Sequence, residues 1–360
     1  MWYNEKKTAQ QDENPKKGEE AMENMTCQDL AKKLGIGKAT VSRAVRHCSG
    51  VDSETRQRIL QVAKHSSISI PAVPCSIYCI LPDTPHYFWN LVFRNMLEEM
   101  RQEQISVKYN IYTSIFDHET VLLYLDEAVQ LGARVVVLSA SLSPAIREKL
   151  REMQKNGVYV ILLSEYGELS DCVYVGANSF RDGEQIGRWF CQHYPQLHPM
   201  ILSHYGCANA LPRIRGFMHA IEQFRPGYPH KVPIIALGEH DLSSPKTIPA
   251  RLAALFSTIG KEYSCVYMPF GNIHLPLSIM KAGWKTQLPV LLSHDCFTEA
   301  GPCSVYPGYT ASCNQDIVCQ VSTAMEMARA YLKNPVFTGS QKFCFIPSNV
   351  YSSREEALKA

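Results

Sequence analysis

The sequence predicts a small all-α helix-turn-helix head followed by a larger α/β region built as two doubly wound parallel-sheet lobes. Three observations carry this reading. Residues 26–65 show helical periodicity alone, interrupted by glycine. Beyond residue 76, short apolar strand patterns alternate with helical ones, which is the signature of a parallel sheet covered on both faces. Ten strand patterns are too many for one small sheet, and 360 residues are enough for two or three cores.

Residues 1–24 are polar, mixed in charge and without apolar periodicity, so they are expected to be a disordered tail, with Met22 or Met25 as an alternative start. In the head (25–65), Thr26 is placed to cap a helix over 27–34, with Leu30 and Leu34 inward. Gly35-Ile36-Gly37 breaks it. A second helix is expected over 38–47, with Val41 and Val45 inward, and Asp52 caps a third over 53–64 with Ile59, Val62 and Ala63 inward. Residues 66–75, holding Pro71 and Pro74, form a linker, and 76–353 form the two-lobed region before a tail at 354–360. Strands are expected at 77–81, 107–112, 135–139, 159–163, 173–176, 199–203, 232–237, 265–268, 290–293 and 309–312. Helical patterns lie between them, for example 89–104, 119–131, 181–194 and 317–332. No internal repeat is evident.

Composition bounds the function. A 46% hydrophobic and 19% charged chain is ordinary for a soluble globular protein. It has no apolar run of about 18 residues and no leader-like apolar segment, which predicts a cytoplasmic protein without a membrane span. None of the 13 cysteines forms a C-x-x-C pair, and Cys79, Cys265 and Cys319 sit in apolar runs. They read as small buried hydrophobes, with no metal site and no cofactor. The net charge of +2 is uneven. Residues 1–24 carry four Lys against six acids, and residues 25–65 carry eight Lys/Arg against three acids. Positive charge concentrated in one short segment is the footprint of a phosphate-binding module.

Two short helices joined by a glycine turn place the second helix in a DNA major groove, its first residues at base edges. Those residues are Lys38, Ala39 and Thr40, with Ser42 and Arg43 on the same side and Val41, Ala44 and Val45 opposite. Arg43 can donate two hydrogen bonds to a guanine, and Thr40 can touch a thymine methyl or a phosphate. Ser42, Thr55 and Arg56 are placed for phosphate, which sets register. Thr26 completes the candidate DNA-contacting set. Gly35-Ile36-Gly37-Lys38-Ala39-Thr40 is no phosphate loop of the Walker type, because Ala39 stands where Ser or Thr is required. It is no dinucleotide fingerprint either, because Thr40 replaces the third glycine.

The run from Thr26 through Asp29-Leu30-Ala31, Gly35-Ile36-Gly37 and Thr40-Val41-Ser42-Arg43-Ala44-Val45 resembles the start of the lactose-repressor/galactose-repressor (LacI/GalR) family. Val51-Asp52-Ser53-Glu54-Thr55-Arg56 resembles that family's third-helix start. The resemblance implies that Lys38, Ala39 and Arg43 occupy base-reading positions. Residues 76–353 resemble, more weakly per residue, the family's sensing domain, which has the fold of periplasmic sugar-binding proteins. Ile80-Leu81-Pro82-Asp83 with His86-Tyr87-Phe88-Trp89, Val173–Asn178, Arg213-Ile-Arg-Gly216-Phe217, Ser293-His294-Asp295 and Tyr309–Asp316 carry that likeness. Departures from the family are Ala177 where an Asp is usual, Phe270-Gly271-Asn272 in place of an Asn-Asp pair, and a short proline-bearing linker without the hinge-helix motif.

A sugar presents CH faces to aromatics and hydroxyls to rigid polar groups. Tyr87 or Phe88 can stack, while Asp83, Ser139, Arg213 and Asp295 can bind hydroxyls from loops at strand carboxyl ends. Each also has a local reading: a turn for Asp83, a helix cap for Ser139, a surface charge for Arg213. Together these expectations describe a transcriptional regulator, a repressor by family analogy, that binds palindromic double-stranded DNA as a homodimer and answers to a carbohydrate-like effector. The alternative is a sugar-binding protein without ligand-controlled switching. An enzyme is disfavoured: Ser293-His294-Asp295 are consecutive, so alternation along a strand forbids a triad.

Overall fold

A computed structural model describes residues 26–45, 51–52, 55, 58–59, 62, 75–82, 87–101, 106–112, 117–204, 207–228, 231–237, 263–281, 289–335 and 342–353. The chain divides into two compact units, Met1–Ala72 and Val73–Ala360.

In the first unit, α1 (Cys27–Leu34) opens on a capping box. The Asp29 amide donates to Thr26 Oγ1 at 3.3 Å, and the Thr26 amide donates back to the Asp29 carboxylate at 3.0 Å. Gly35, at φ 65°, closes the helix in the left-handed region that a Cβ disfavours, and α2 (Lys38–Val45) follows at once. Leu30, Ala31, Val41, Ala44 and Ile59 form a small buried core, with Leu34 and Val62 against it. Asp52 Oδ1 accepts from the Thr55 amide at 2.8 Å, as a helix cap should, and Thr55, Ile59 and Val62 are helical. Ala63, Arg56 and the end of the expected second helix lie outside the described residues, as does the Val45 side chain.

The second unit is two doubly wound lobes. The first sheet runs β2 (Val107–Tyr112), β1 (Ile77–Pro82), β3 (Val135–Leu138), β4 (Tyr159–Leu163), β5 (Cys172–Gly176) and β11 (Lys342–Phe345), all parallel. The second runs β7 (Ile234–Leu237), β6 (Pro199–His204), β8 (Cys265–Tyr267), β9 (Val290–His294), β10 (Ala311–Gln315) and β12 (Ser348–Ser352). There only the β10–β12 pair is antiparallel. Strand alternation supplies two cores per sheet. Tyr78 and Ile80 face α4 (His118–Gln130) and α5 (Pro144–Lys155), whereas Ile77, Cys79 and Leu81 face α3 (Tyr87–Arg101) and α9 (Ile317–Lys333). In the second lobe, α6 (Ser179–His193) and α7 (Ala210–Phe224) cover one face, and α8 (Leu275–Lys281) covers the other.

The chain passes between lobes three times: from β5 into α6, from β10 into α9, and from β11 into β12. After the second passage α9 buries Ile317, Val321, Ala324, Met325 and Ala328 in the first lobe, and Tyr331 stacks on Tyr159 with ring centroids 4.4 Å apart. The ten expected strands all correspond to strands here, but the last is displaced to 311–315 from 309–312, because Tyr309 turns its hydroxyl onto Asn272 O at 2.6 Å. Strands β11 and β12 escaped the sequence reading. β11 lies at a sheet edge with Phe343 and Phe345 about half exposed, so no buried apolar run marks it. Among the described residues no helix is long and apolar enough to cross a membrane. The twelve described cysteines are free thiols, half-buried or buried in all but the exposed Cys303.

Two glycines fix the α6–α7 crossing. A Cβ on Gly183 would lie 1.9 Å from Arg213 O, and one on Gly216 would lie 1.9 Å from Phe180 O. Both obstacles are backbone and cannot rotate away. Gly216→Ala is therefore expected to destabilise the second unit by about 1–3 kcal/mol or more, read as a lowered melting temperature. An unchanged melting temperature would show that the helices separate at no cost.

Candidate functional site

The carboxyl ends of the strands in both sheets carry a connected polar network. Its centre is Arg213 on α7, 3% exposed. The guanidinium donates through Nη1 to Pro269 O at 3.1 Å and through Nη2 to Asp295 Oδ2 at 3.4 Å, with Asp182 Oδ2 of α6 at 3.7 Å. Asp295 adopts φ 53° just past β9, a left-handed conformation that turns its carboxylate back into the network. There Oδ1 accepts from the Gln315 amide at 3.0 Å and Oδ2 accepts from Gln315 Nε2 at 2.7 Å. Gln320 Nε2 donates to Gln315 Oε1 at 2.9 Å, and Ser164 Oγ donates to Gln320 Oε1 at 2.7 Å. Asn209 Nδ2 then donates to Ser164 O at 3.3 Å. Ser164, itself at φ 62°, belongs to the first lobe, while Asn209, Arg213, Asp295 and Gln315 belong to the second. The two lobes are thus tied by hydrogen bonds among buried side chains, in a setting where each such bond is costly to leave unmade.

Electrostatics follow from burial around one cation. Burial raises the Asp182 carboxyl to about 6 against the opposing pull of Arg213, and it raises Glu165, next to Ser164, to about 7. His294, wholly buried with Nε2 2.8 Å from the Tyr267 hydroxyl, is held well below its ordinary value by burial and then by Arg213. It is therefore a neutral imidazole. The Cys207 thiol, before α7, is pushed up to about 11 by burial. Several buried polar atoms have no hydrogen-bond partner: Ser139 Oγ, Asp182 Oδ2, Arg213 Nε and His294 Nδ1. Unsatisfied atoms of this kind also occur elsewhere among the described residues, at His118, Arg147 and Arg225.

Arg213 and Asp295, chosen from sequence as ligand-binding candidates 82 positions apart, meet here. Ser139 is buried at the end of β3 and caps no helix; Ser143 caps α5 instead. Tyr87 is half-buried at the start of α3, its ring 6.4 Å from Tyr306. Phe88 is 5% exposed in the first-lobe core, edge-on to Trp89, so its faces are committed to packing and it does not present a stacking platform. Asp83 lies outside the described residues. Sequence reasoning missed Ser164, Glu165, Asp182 and Gln320. Gln315 and Asp182 had signals, one in the Asn314-Gln315-Asp316 stretch and the other as a charge on the apolar side of a helix. Asn272 is engaged in its own turn: Oδ1 accepts from the His274 amide at 2.9 Å.

In the first unit, Lys38, Ala39 and Arg43 are exposed on α2, while Val41 and Ala44 are fully buried on its other side. Arg43 Nε donates to Ala39 O at 3.3 Å, and Lys38 Nζ to Gln28 Oε1 at 3.3 Å. Thr40, Ser42 and Thr55 are half-buried. Thr26 is exposed, but its hydroxyl is bound 2.5 Å from the Asp29 carboxylate, so its first role is the cap. Among the described residues no group of three His, Cys, Asp or Glu side chains is arranged to hold a metal ion.

A helix-turn-helix head with an exposed basic helix, followed by a two-lobed α/β unit whose lobes meet at a buried polar network, is the architecture of a bacterial regulatory protein. Residues 26–67 match the model of bacterial regulatory proteins of the lacI family, and residues 77–335 match the periplasmic binding protein domain. The chain belongs to the lacI family, with a sensor of the periplasmic-binding-protein type. No curated protein matches it significantly. Among solved structures it is similar to the Caulobacter myo-inositol binding protein (15% identity, 81% of this chain and 97% of that one, TM-score 0.64). It is similar to the Cra transcriptional dual regulator of Pseudomonas putida in complex with fructose 1-phosphate (14%, 77% and 98%, TM-score 0.61). It is also similar to a periplasmic solute binding protein of Actinobacillus succinogenes with bound D-allose (13%, 79% and 99%, TM-score 0.63). At such identities the likeness is one of fold.

The raised carboxyls make a pH prediction. In the folded state Glu165 and Asp182 hold their protons to about pH 7 and 6, whereas in the unfolded chain they release them near 4. The folded state therefore binds more protons between these values. Their contribution is fullest at acid pH and is lost as pH rises through 6 and 7. Glu165→Gln is expected to flatten the decline of melting temperature between pH 5 and 8, measured against the parent chain. Parallel curves would contradict the shift at Glu165.

Proposed function

We propose that this protein is a cytoplasmic transcriptional repressor that binds a palindromic operator as a homodimer and releases or tightens on it when a small polyol, a sugar or sugar derivative, enters the cleft. The observation that carries the reading is the combination of an exposed basic recognition helix with a buried interlobe network in which Arg213 meets Asp295, just past a strand carboxyl end. One helix-turn-helix reads only a half-site, so two copies related by a two-fold axis read a palindrome. Arg213 and Asp295 provide charge-assisted donors and acceptors for hydroxyls, and the unpartnered Ser139 hydroxyl adds a neutral one. The structures it resembles bind myo-inositol, D-allose and fructose 1-phosphate, all polyols, which supports the same ligand class here.

An effector acts through differential affinity. Moving a 1:99 balance of lobe arrangements to 99:1 requires about 5.5 kcal/mol of preference for one arrangement. Ligand hydroxyls that compete for Asp295 and Gln315 act on the groups that tie the lobes together. No proton transfer or covalent step is assigned to the site; the reading is recognition without turnover.

Selection of bound genomic fragments by the full chain tests the proposal. Recovery of two-fold-related sites whose binding weakens steeply with salt is expected, and a library without enrichment would overturn it. At a recovered site, Arg43→Ala is expected to cost about 1–3 kcal/mol and to relax one base position while binding to random duplex changes little. Fluorescence anisotropy with wild-type and singly substituted duplexes measures both. Full retention of sequence preference would remove Arg43 from base reading.

A further inference from the structure

The turn after β9 is held from both lobes. Asp295, Cys296 and Phe297 are consecutive, and all three are buried. Cys296 packs in the second-lobe core with Leu291 and Tyr309, whereas Phe297, 1% exposed, packs in the first-lobe core with the apolar face of α9. One step along the backbone thus crosses from the core of one lobe to that of the other. Asp295, at φ 53°, sits at the start of this step with its carboxylate bonded to Arg213.

A second tie reaches the same carboxylate through side chains. A carboxylate only accepts, whereas a primary amide accepts at one end and donates at the other. Asp295 takes donors from Arg213 Nη2 and from the backbone and side chain of Gln315. Gln315 must therefore turn its amino group to Asp295, which leaves its oxygen to accept from Gln320 Nε2 at 2.9 Å. Gln320 then presents its own oxygen the other way, where the Ser164 hydroxyl donates to it at 2.7 Å. The run has a single sense, set by the carboxylate and ended by a hydroxyl on the first lobe. Gln315 closes β10 in the second sheet, and the wholly buried Gln320 lies on α9 against the first. Rotation of the lobes about the passage at Asp316 pulls these two amides apart, and each is buried where a lost partner is costly. Asp295 keeps this orientation only while the lobes are packed as they are.

We propose that Gln320 and Phe297 are positioning residues for the effector site: from the first lobe they aim the Asp295 carboxylate of the second lobe at Arg213, so that lobe arrangement and site geometry form one equilibrium. This rests on the reading that the effector meets Arg213 and Asp295. Gln320 acts through Gln315, and Phe297 through the backbone of the turn.

Residue-resolved amide exchange, followed by NMR on the deuterated, nitrogen-15-labelled full chain, tests this with no effector added. The Gln315 amide donates to Asp295 Oδ1 at 3.0 Å and so reports on the carboxylate. The Ile201 amide, bonded to Pro233 O at 2.9 Å, reports on the same sheet at β6. Gln320→Met keeps the length of the side chain and removes both of its hydrogen bonds. It is expected to speed exchange at Gln315 about tenfold, the loss of one hydrogen bond to a charged acceptor, with Ile201 unchanged. Ser164→Ala should act in the same direction more weakly, and it stands in for Gln320→Met should that variant fail to fold. Phe297→Leu is expected to speed exchange by a similar factor at the Asp295 amide, which donates to Cys313 O at 3.2 Å. A merely structural role in the first lobe predicts a lower melting temperature with second-lobe exchange unaltered. That result in Gln320→Met and Ser164→Ala would overturn the role of Gln320, and in Phe297→Leu that of Phe297. Equal acceleration at Gln315 and Ile201 would mark general loosening of the second lobe and overturn both. Failure here leaves the polyol reading standing, since no effector enters the measurement; the genomic selection tests the regulator separately.

Discussion

The buried guanidinium of Arg213 is the constraint around which the sensor is organised. A cation that is 3% exposed persists only with partners, and its partners come from separate elements: Asp182 from α6, Asp295 from the turn after β9, Pro269 from the turn after β8. Bringing α6 and α7 close enough requires Gly183 and Gly216, since any Cβ there meets backbone oxygen. Turning Asp295 inward requires a left-handed φ that a non-glycine residue adopts only when its surroundings hold it there. The packing of the second lobe and the geometry of its cleft are therefore set together.

The same guanidinium links the site to the hinge. From Arg213 the network runs through Asp295 and Gln315 to Gln320 on α9, and from there to Ser164 on the first lobe. Gln315 and Gln320 flank one of the three passages between lobes. Under the proposed function, a ligand drawn to Arg213 and Asp295 would compete for hydrogen bonds that run between the lobes. That is the kind of shared element through which binding can bias a conformational equilibrium.

Much of this was legible in the sequence. Alternating strand and helix patterns gave the lobes, because fully buried strands such as β1 and β3 read as continuous apolar runs. The head was legible because its caps are local chemistry: Thr26 with Asp29, Gly35, and Asp52 with Thr55. Arg213 and Asp295 were legible as a pair only through family resemblance; spacing along the chain contains nothing that brings them within 3.4 Å. Ser164 was not legible, because its place in the network arises from a left-handed turn and from a partner, Gln320, that reaches it only once the sheets are assembled. Phe88 misled for the opposite reason. By residue type it is a stacking candidate, but helical periodicity with Leu91, Val92 and Met96 turns it into the core.

The three passages between lobes also bear on synthesis. When a ribosome has produced the first five strands, the first sheet still lacks its sixth strand, and one of its faces still lacks α9. Both are encoded after the five parallel strands of the second lobe, at 317–333 and 342–345. The lobe that is translated first is thus finished nearly last, with the β5 edge and the apolar surface meant for Val321, Ala324 and Met325 uncovered throughout. Exposed apolar surface and an unpaired strand edge of this kind are what make partly folded chains prone to aggregate. Premature termination anywhere before residue 342 leaves two incomplete lobes, rather than one intact lobe and one fragment.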